Sequence, residues 1–168
     1  MRSPLTSELI LGIDPGTRIT GYGIIRITSR GFEVVDYGCI RPTATKPLPQ
    51  RHCQIFEGVS HLLEKYPTVC AMSVETQYVH KNVSSSLKLG MARAVAMLAA
   101  SLKEISVFEY APSVAKRAVV GNGKASKEQV QKMVKALLAL STIPEPEDAA
   151  DALALAICHA NTRRLSHV

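Results

Sequence analysis

Four carboxylates stand where a carboxylate is costly or crowded. Asp14 follows the apolar run "LILGI" directly and precedes Pro15 and Gly16, Glu75 closes the run "TVCAMSVE", and Asp148 and Asp151 stand three residues apart in "EDAADALALAI". A buried, unpaired carboxylate costs several kcal/mol, so such an acid must be paired, exposed at a strand end, or holding a cation. Hard cations such as magnesium prefer carboxylate oxygens and water, and two metals about 3.5 to 4 Å apart can stabilise both the attacking and the leaving oxygen of a phosphodiester. Each acid has a plainer explanation as well. Asp14 could cap the turn "DPGT", Glu75 could be a surface residue at a strand end, and Asp148, with Glu145 and Glu147, suits the positive end of a helix dipole. Asp151 is harder to explain so, because the small residues around it indicate close packing.

The remaining composition favours a polyanionic partner. The chain has 168 residues with 20 Lys and Arg against 14 Asp and Glu, a formal charge of +6. Between positions 76 and 135 ten bases (Lys81, Lys88, Arg93, Lys103, Lys116, Arg117, Lys124, Lys127, Lys132, Lys135) face three acids (Glu104, Glu109, Glu128), which fits a phosphate-binding face as well as a solvated one. Cys39, Cys53, Cys70 and Cys158 form no C-x-x-C pair and no signal-peptide pattern leads the chain, so reduced, mostly buried thiols in a cytosolic protein are expected rather than a zinc cluster or a disulfide framework. His80 and His159 are scattered, which is commoner for packed or surface histidines than for catalytic ones. No apolar run reaches the ~18 residues of a membrane span.

The elements that must position these groups follow from periodicity. Strands are predicted over Leu9 to Ile13, Thr20 to Thr28 and Phe32 to Ile40, close enough in sequence for an antiparallel meander, and the second carries Gly21 and Gly23. "LPQRHCQIFEGVSHLLEKYP" predicts a helix with Ile55, Val59, Leu62 and Leu63 on one face, and "TVCAMSVE" a buried strand. A second helix is expected from Ser84 to Leu102, with Leu87, Met91, Val95, Leu98 and Leu102 along one stripe, followed by the strand "ISVFEY". "APSVAKRAVVGNGKAS" receives no element of its own. "SKEQ", Ser126 to Gln129, is a capping-box pattern opening a helix with Val130, Met133, Val134, Leu137 and Leu138 on its apolar face. "IPEPEDAADALALAICHAN" predicts the last, alanine-rich helix. The order implies an α/β chain with a mixed five-stranded sheet covered on both faces, the order of an RNase H-like fold, in one domain over 1–168 with flexible ends at about 1–8 and 162–168.

Five segments, "GIDPGTRITGYGII", "VETQY", "KNVSSSLKLGMARAV", "EYAPSVAKRAVVGNGKASKEQV" and "DAADALALAI", resemble in that order the successive motifs of the bacterial RuvC family of Holliday-junction resolvases, from about Leu9 to about Ala160. The resemblance implies that Asp14, Glu75, Asp148 and Asp151 are an acidic tetrad holding Mg2+, two ions per site, with Mn2+ as the alternative. It also implies that Tyr78, where phenylalanine is more usual in the family, engages bases at the junction by stacking. Lys81, Lys116 and Lys127 become DNA-binding residues near the scissile phosphate or along the DNA path.

By the same resemblance the chain is a bacterial, cytoplasmic endonuclease acting as a homodimer on four-way DNA junctions in recombination and repair. Water activated by metal would attack the phosphodiester, leaving a 5′-phosphate and a 3′-hydroxyl, in paired symmetric nicks. The branch-migration proteins RuvA and RuvB would be its partners. A YqgF-like RNA-processing nuclease shares the fold and an early "GID" strand, but "DPGTRITGYG" and "KNVSSSLKLG" argue against it. A sugar-kinase or actin-like ATPase needs two such domains, and a nonenzymatic nucleic-acid-binding module would not need the complete tetrad.

Overall fold

The computed structural model describes residues 8–76 and 82–166. The elements run β1 (Leu9–Asp14), β2 (Thr20–Thr28), β3 (Gly31–Ile40), α1 (Leu48–Lys65), β4 (Val69–Glu75), α2 (Val83–Ser101), β5 (Ser106–Tyr110), α3 (Pro112–Val120), α4 (Lys127–Leu137) and α5 (Glu147–Ser166). The five strands form one sheet in the order β3-β2-β1-β4-β5. β1 and β2, and β2 and β3, pair antiparallel, while β1 and β4, and β4 and β5, pair parallel. This is the mixed sheet of the RNase H-like fold that the order of elements implies.

The period of two along the strands sorts side chains to the two faces. Leu9, Leu11 and Ile13 of β1, with Met72 and Val74 of β4, enter the core under α1 and α2. Ile10 and Ile25 enter the second core, under α4 and α5. By the same alternation Gly12 and Asp14, and Ser73 and Glu75, belong to the α5 face.

Helix α5 is the centre of that face. From Ala152 to Ala160 every residue is buried, because β1 and β2 cover one side and α3 and α4 the other. A helix apolar all round is stable only in such a place. Its close approach depends on missing side chains: a methyl at Gly12 would overlap the Ala152 carbonyl, and one at Gly21 the Asp148 carbonyl.

Of the stripe predicted on α2, Leu87, Met91, Leu98 and Leu102 are exposed and Val95 is partly buried, while Ala92, Ala96, Ala99 and Ala100 face the core. The small alanines let α2 lie close to its neighbours, which the larger side chains would prevent. α3 forms inside the segment left without an element, opened by Pro112 at its first turn and closed by Gly121 in the left-handed region at φ 84°. α5 runs to Ser166 and Arg163 pairs with Glu8 at 2.9 Å; residues 1–7 and 167–168 lie outside the described residues.

The four cysteines are free, but Cys53 and Cys70 are exposed rather than buried. Among the described residues no helix is long and apolar enough to cross a membrane.

Candidate active site

Asp14 and Glu75 end adjacent parallel strands. Ile13 is in register with Val74, so the two carboxylates leave the same edge of the sheet, side by side. Chain connectivity diverges there, β1 leading to β2 on one side and β4 to β5 on the other, and ligands of open α/β sheets bind beyond the carboxyl ends of strands at such a divergence. α5 begins beside them. Its first turn carries Asp148, and Asp151 follows on nearly the same face.

All four acids line one pocket of about 390 Å3, together with Lys116 of α3 and Lys127 of α4. Burial pushes the Asp14 carboxyl up from its ordinary 3.8 to about 8; Glu75, Asp151 and Asp148 add to the rise, and Lys127 opposes it. Burial, then Asp151, raises Glu75 to about 7 against Lys127 and Lys116. Asp151 is raised as well, by burial first, with Glu147 and Asp148 adding and the two lysines opposing. Carboxyls so crowded and desolvated resist ionisation until positive charge reaches them.

The donor set is one that suits a hard divalent cation: carboxylate oxygens from two strands and a helix, facing one open pocket. Among the described residues no group of three or more His, Cys, Asp or Glu side chains is already gathered around a point that could hold an ion. The residues fit such a cation in type and in lining one pocket.

Of the other site residues expected from sequence, Lys116 and Lys127 reach the pocket, and Tyr78 and Lys81 lie outside the described residues. Lys127 Nζ donates to Glu147 Oε2 at 2.8 Å, an acid that sequence reasoning treated only as a partner of the helix dipole. The "PED" pattern held the signal, since Glu147 directly precedes Asp148 at the start of α5. His159 belongs elsewhere. It is buried, stacked on Phe108 with ring centroids 4.1 Å apart, and its Nδ1 lies 2.8 Å from the Tyr110 hydroxyl. Burial, helped by Arg163, lowers its pKa to about 4, so it is a neutral packed histidine, away from the acids. His80 lies outside the described residues.

Comparison with known proteins identifies the family. The family model described as crossover junction endodeoxyribonuclease RuvC matches residues 10–159. The chain is 59% identical over 152 residues to the crossover junction endodeoxyribonuclease RuvC of Protochlamydia amoebophila (strain UWE25), covering 90% of each chain. It is 54% identical over 159 residues to that of Chlamydia caviae, covering 93% of this chain and 94% of the other. Among solved structures, Thermus thermophilus RuvC in complex with a Holliday junction substrate superposes with a TM-score of 0.88 at 30% identity, covering 94% of this chain and 96% of that one.

Proposed function

The chain belongs to the RuvC family of crossover junction endodeoxyribonucleases, and we propose that Asp14, Glu75, Asp148 and Asp151 are the carboxylates with which it cuts four-way DNA junctions. It is an endonuclease of Holliday junctions, the branched intermediates of homologous recombination and recombinational repair. The observation that carries the assignment of the site is the gathering of four acids and two lysines around one pocket at the carboxyl ends of β1 and β4.

The tetrad would hold Mg2+, two ions per site, with Mn2+ able to substitute. Bound there, divalent cations supply Lewis-acid activation of water and neutralise charge on the attacking and leaving oxygens, which gives 5′-phosphate and 3′-hydroxyl ends. The chain's own residues prepare this. Asp14 and Glu75, raised to about 8 and about 7, hold protons near neutral pH and release them as cations enter, so cation binding strengthens as pH rises. Lys116 and Lys127 bring positive charge to the pocket that receives the scissile phosphate. Tyr78 and Lys81 act on the junction DNA, the first by stacking on bases.

Resolution needs two nicks, and an isologous homodimer offers two equivalent sites to a nearly two-fold substrate. The exposed apolar residues of α2, Val83, Leu87, Met91, Leu98 and Leu102, support a second copy as the partner of that face. The reading makes residues 1–168 one nuclease domain, working in the bacterial cytoplasm with RuvA and RuvB.

Labelled four-way junction, linear duplex and structured RNA, each with and without Mg2+, test the proposal alongside Asp14→Asn, Glu75→Gln, Asp148→Asn and Asp151→Asn. The expected result is Mg2+-dependent cutting of the junction alone, lost in all four variants while junction binding persists. Cleavage of RNA would favour a YqgF-like activity, and binding without any cleavage a nonenzymatic module. A variant that cuts at the wild-type rate under limiting Mg2+ removes its residue from the tetrad.

A further inference from the structure

Lys127 presents a difficulty for a site that must admit cations. It is the first residue of α4, and its backbone is fixed by the capping box: Ser126 Oγ accepts from the Gln129 amide at 3.2 Å, and Gln129 Oε1 accepts from the Ser126 amide at 2.8 Å. From there its side chain reaches the pocket of the four acids, and its charge acts on Asp14, Glu75 and Asp151. A lysine has a flexible four-carbon stem and three donors. Set beside several half-buried carboxylates, it would pair with one of them and occupy the oxygen that a cation needs. Yet among the described residues the carboxylate within 4 Å of Lys127 Nζ is that of Glu147, at 2.8 Å. Glu147 opens α5 one residue before Asp148, so the same helix that delivers two acids of the tetrad also delivers the partner of the competing ammonium.

We propose that Glu147 is a positioning residue that holds the Lys127 ammonium off the acidic tetrad, keeping those carboxylates open to divalent cations. The inference rests on the tetrad being the cation site. Glu147 touches neither cation nor substrate; it acts through Lys127. Its carboxylate is half exposed, as is the Lys127 side chain, so exchanging it disturbs no core. Without Glu147, Lys127 transfers to a tetrad carboxylate and cations must displace it.

Calorimetric titration of the DNA-free protein with Mn2+ at low ionic strength tests this in wild type, Glu147→Gln, Lys127→Met and the double variant, with Asp14→Asn as the control that assigns the heat to the tetrad. Loss of a negative charge near the site weakens Mn2+ binding in either background. The proposal requires more: the loss caused by Glu147→Gln should be about threefold greater when Lys127 is present than in the Lys127→Met background, the coupling of a half-exposed pair. Lys127→Met alone should tighten binding, and Glu147→Asp should recover part of the loss. Equal losses in the two backgrounds overturn the proposal, because Glu147 is then only a distant charge. Mn2+ heat that survives Asp14→Asn unchanged overturns the tetrad as the cation site, and the proposal with it; a normal Asp14→Asn loss with no coupling overturns the proposal alone.

Discussion

Replacing Asp14 by Asn should make the cation-free protein more stable while leaving it unable to cut. The unfolded chain ionises Asp14 near 3.8, whereas the folded chain resists ionisation up to about 8. An acid whose folded pKa is raised withdraws stability as pH climbs between the two values: below the lower one both states are protonated, and above the higher one the full penalty is present. Each pH unit is worth about 1.4 kcal/mol, so the interval sets a ceiling of about 6 kcal/mol above pH 8. Glu75 and Asp151 share the same repulsion and take up protons too, which brings the expected gain of Asp14→Asn near pH 8 to about 2–3 kcal/mol. For a chain of this length that is about 5–10 °C in Tm. Near pH 5 little of the interval has been crossed, and the gain should fall below about 1 kcal/mol. Thermal melts of wild type and Asp14→Asn in EDTA at the two pH values measure it. A gain that is absent, or as large near pH 5 as near pH 8, refutes the buried, charge-crowded Asp14 described above. Mg2+ in excess should close the gap by stabilising wild type alone.

Junction affinity should fall steeply with added salt, and Lys116→Ala should weaken binding or cleavage and flatten the slope by about one counterion, read from filter binding across a salt series. Gly21→Ala should cost about 1–3 kcal/mol or more and depress cleavage further than stability, since the new methyl displaces the start of α5 at Asp148; Gly90→Ala, where nothing lies within 4 Å, should instead stabilise by about 0.5–1 kcal/mol, and equal effects in chemical denaturation would sink the contrast. Leu98→Lys on the outer face of α2 should shift the protein to monomer in analytical ultracentrifugation with its melting temperature nearly unchanged, whereas a large loss of stability in a chain that stays dimeric would return that face to the subunit's own core. In a mixed dimer, wild type paired with Asp14→Asn should bind a doubly labelled junction and nick mainly one strand, and efficient paired incision would contradict one site per subunit.

Three of the four acids were legible in sequence because each violates a local rule, a carboxylate after "LILGI", another after "CAMSV" and a third amid alanines, while Asp148 also suits a helix start. The strands were legible by alternation, and their registers brought Asp14 and Glu75 together as adjacent strand ends. On α2 both faces are apolar, and periodicity locates stripes without saying which one is covered; close packing selects the alanines. α3 was missed although Pro112, Ala115, Val119 and Gly121 spell its start, face and stop, because "GNGKAS" directly beyond it reads as loop. Glu147 was seen as a charge at a helix end, and only the fold shows that α4 brings Lys127 to it.

The position of α5 in chain order carries one more consequence. It follows every other element, and it supplies both the middle of the second core and two of the four acids. A chain that stops at Leu140 carries Asp14, Glu75, Lys116 and Lys127 in its sequence but lacks the helix on which β1, β2, α3 and α4 pack. A chain cut ahead of Glu147 lacks the helix that fills the second core as well as Asp148 and Asp151, so it should lose its packed sheet and the proposed site together.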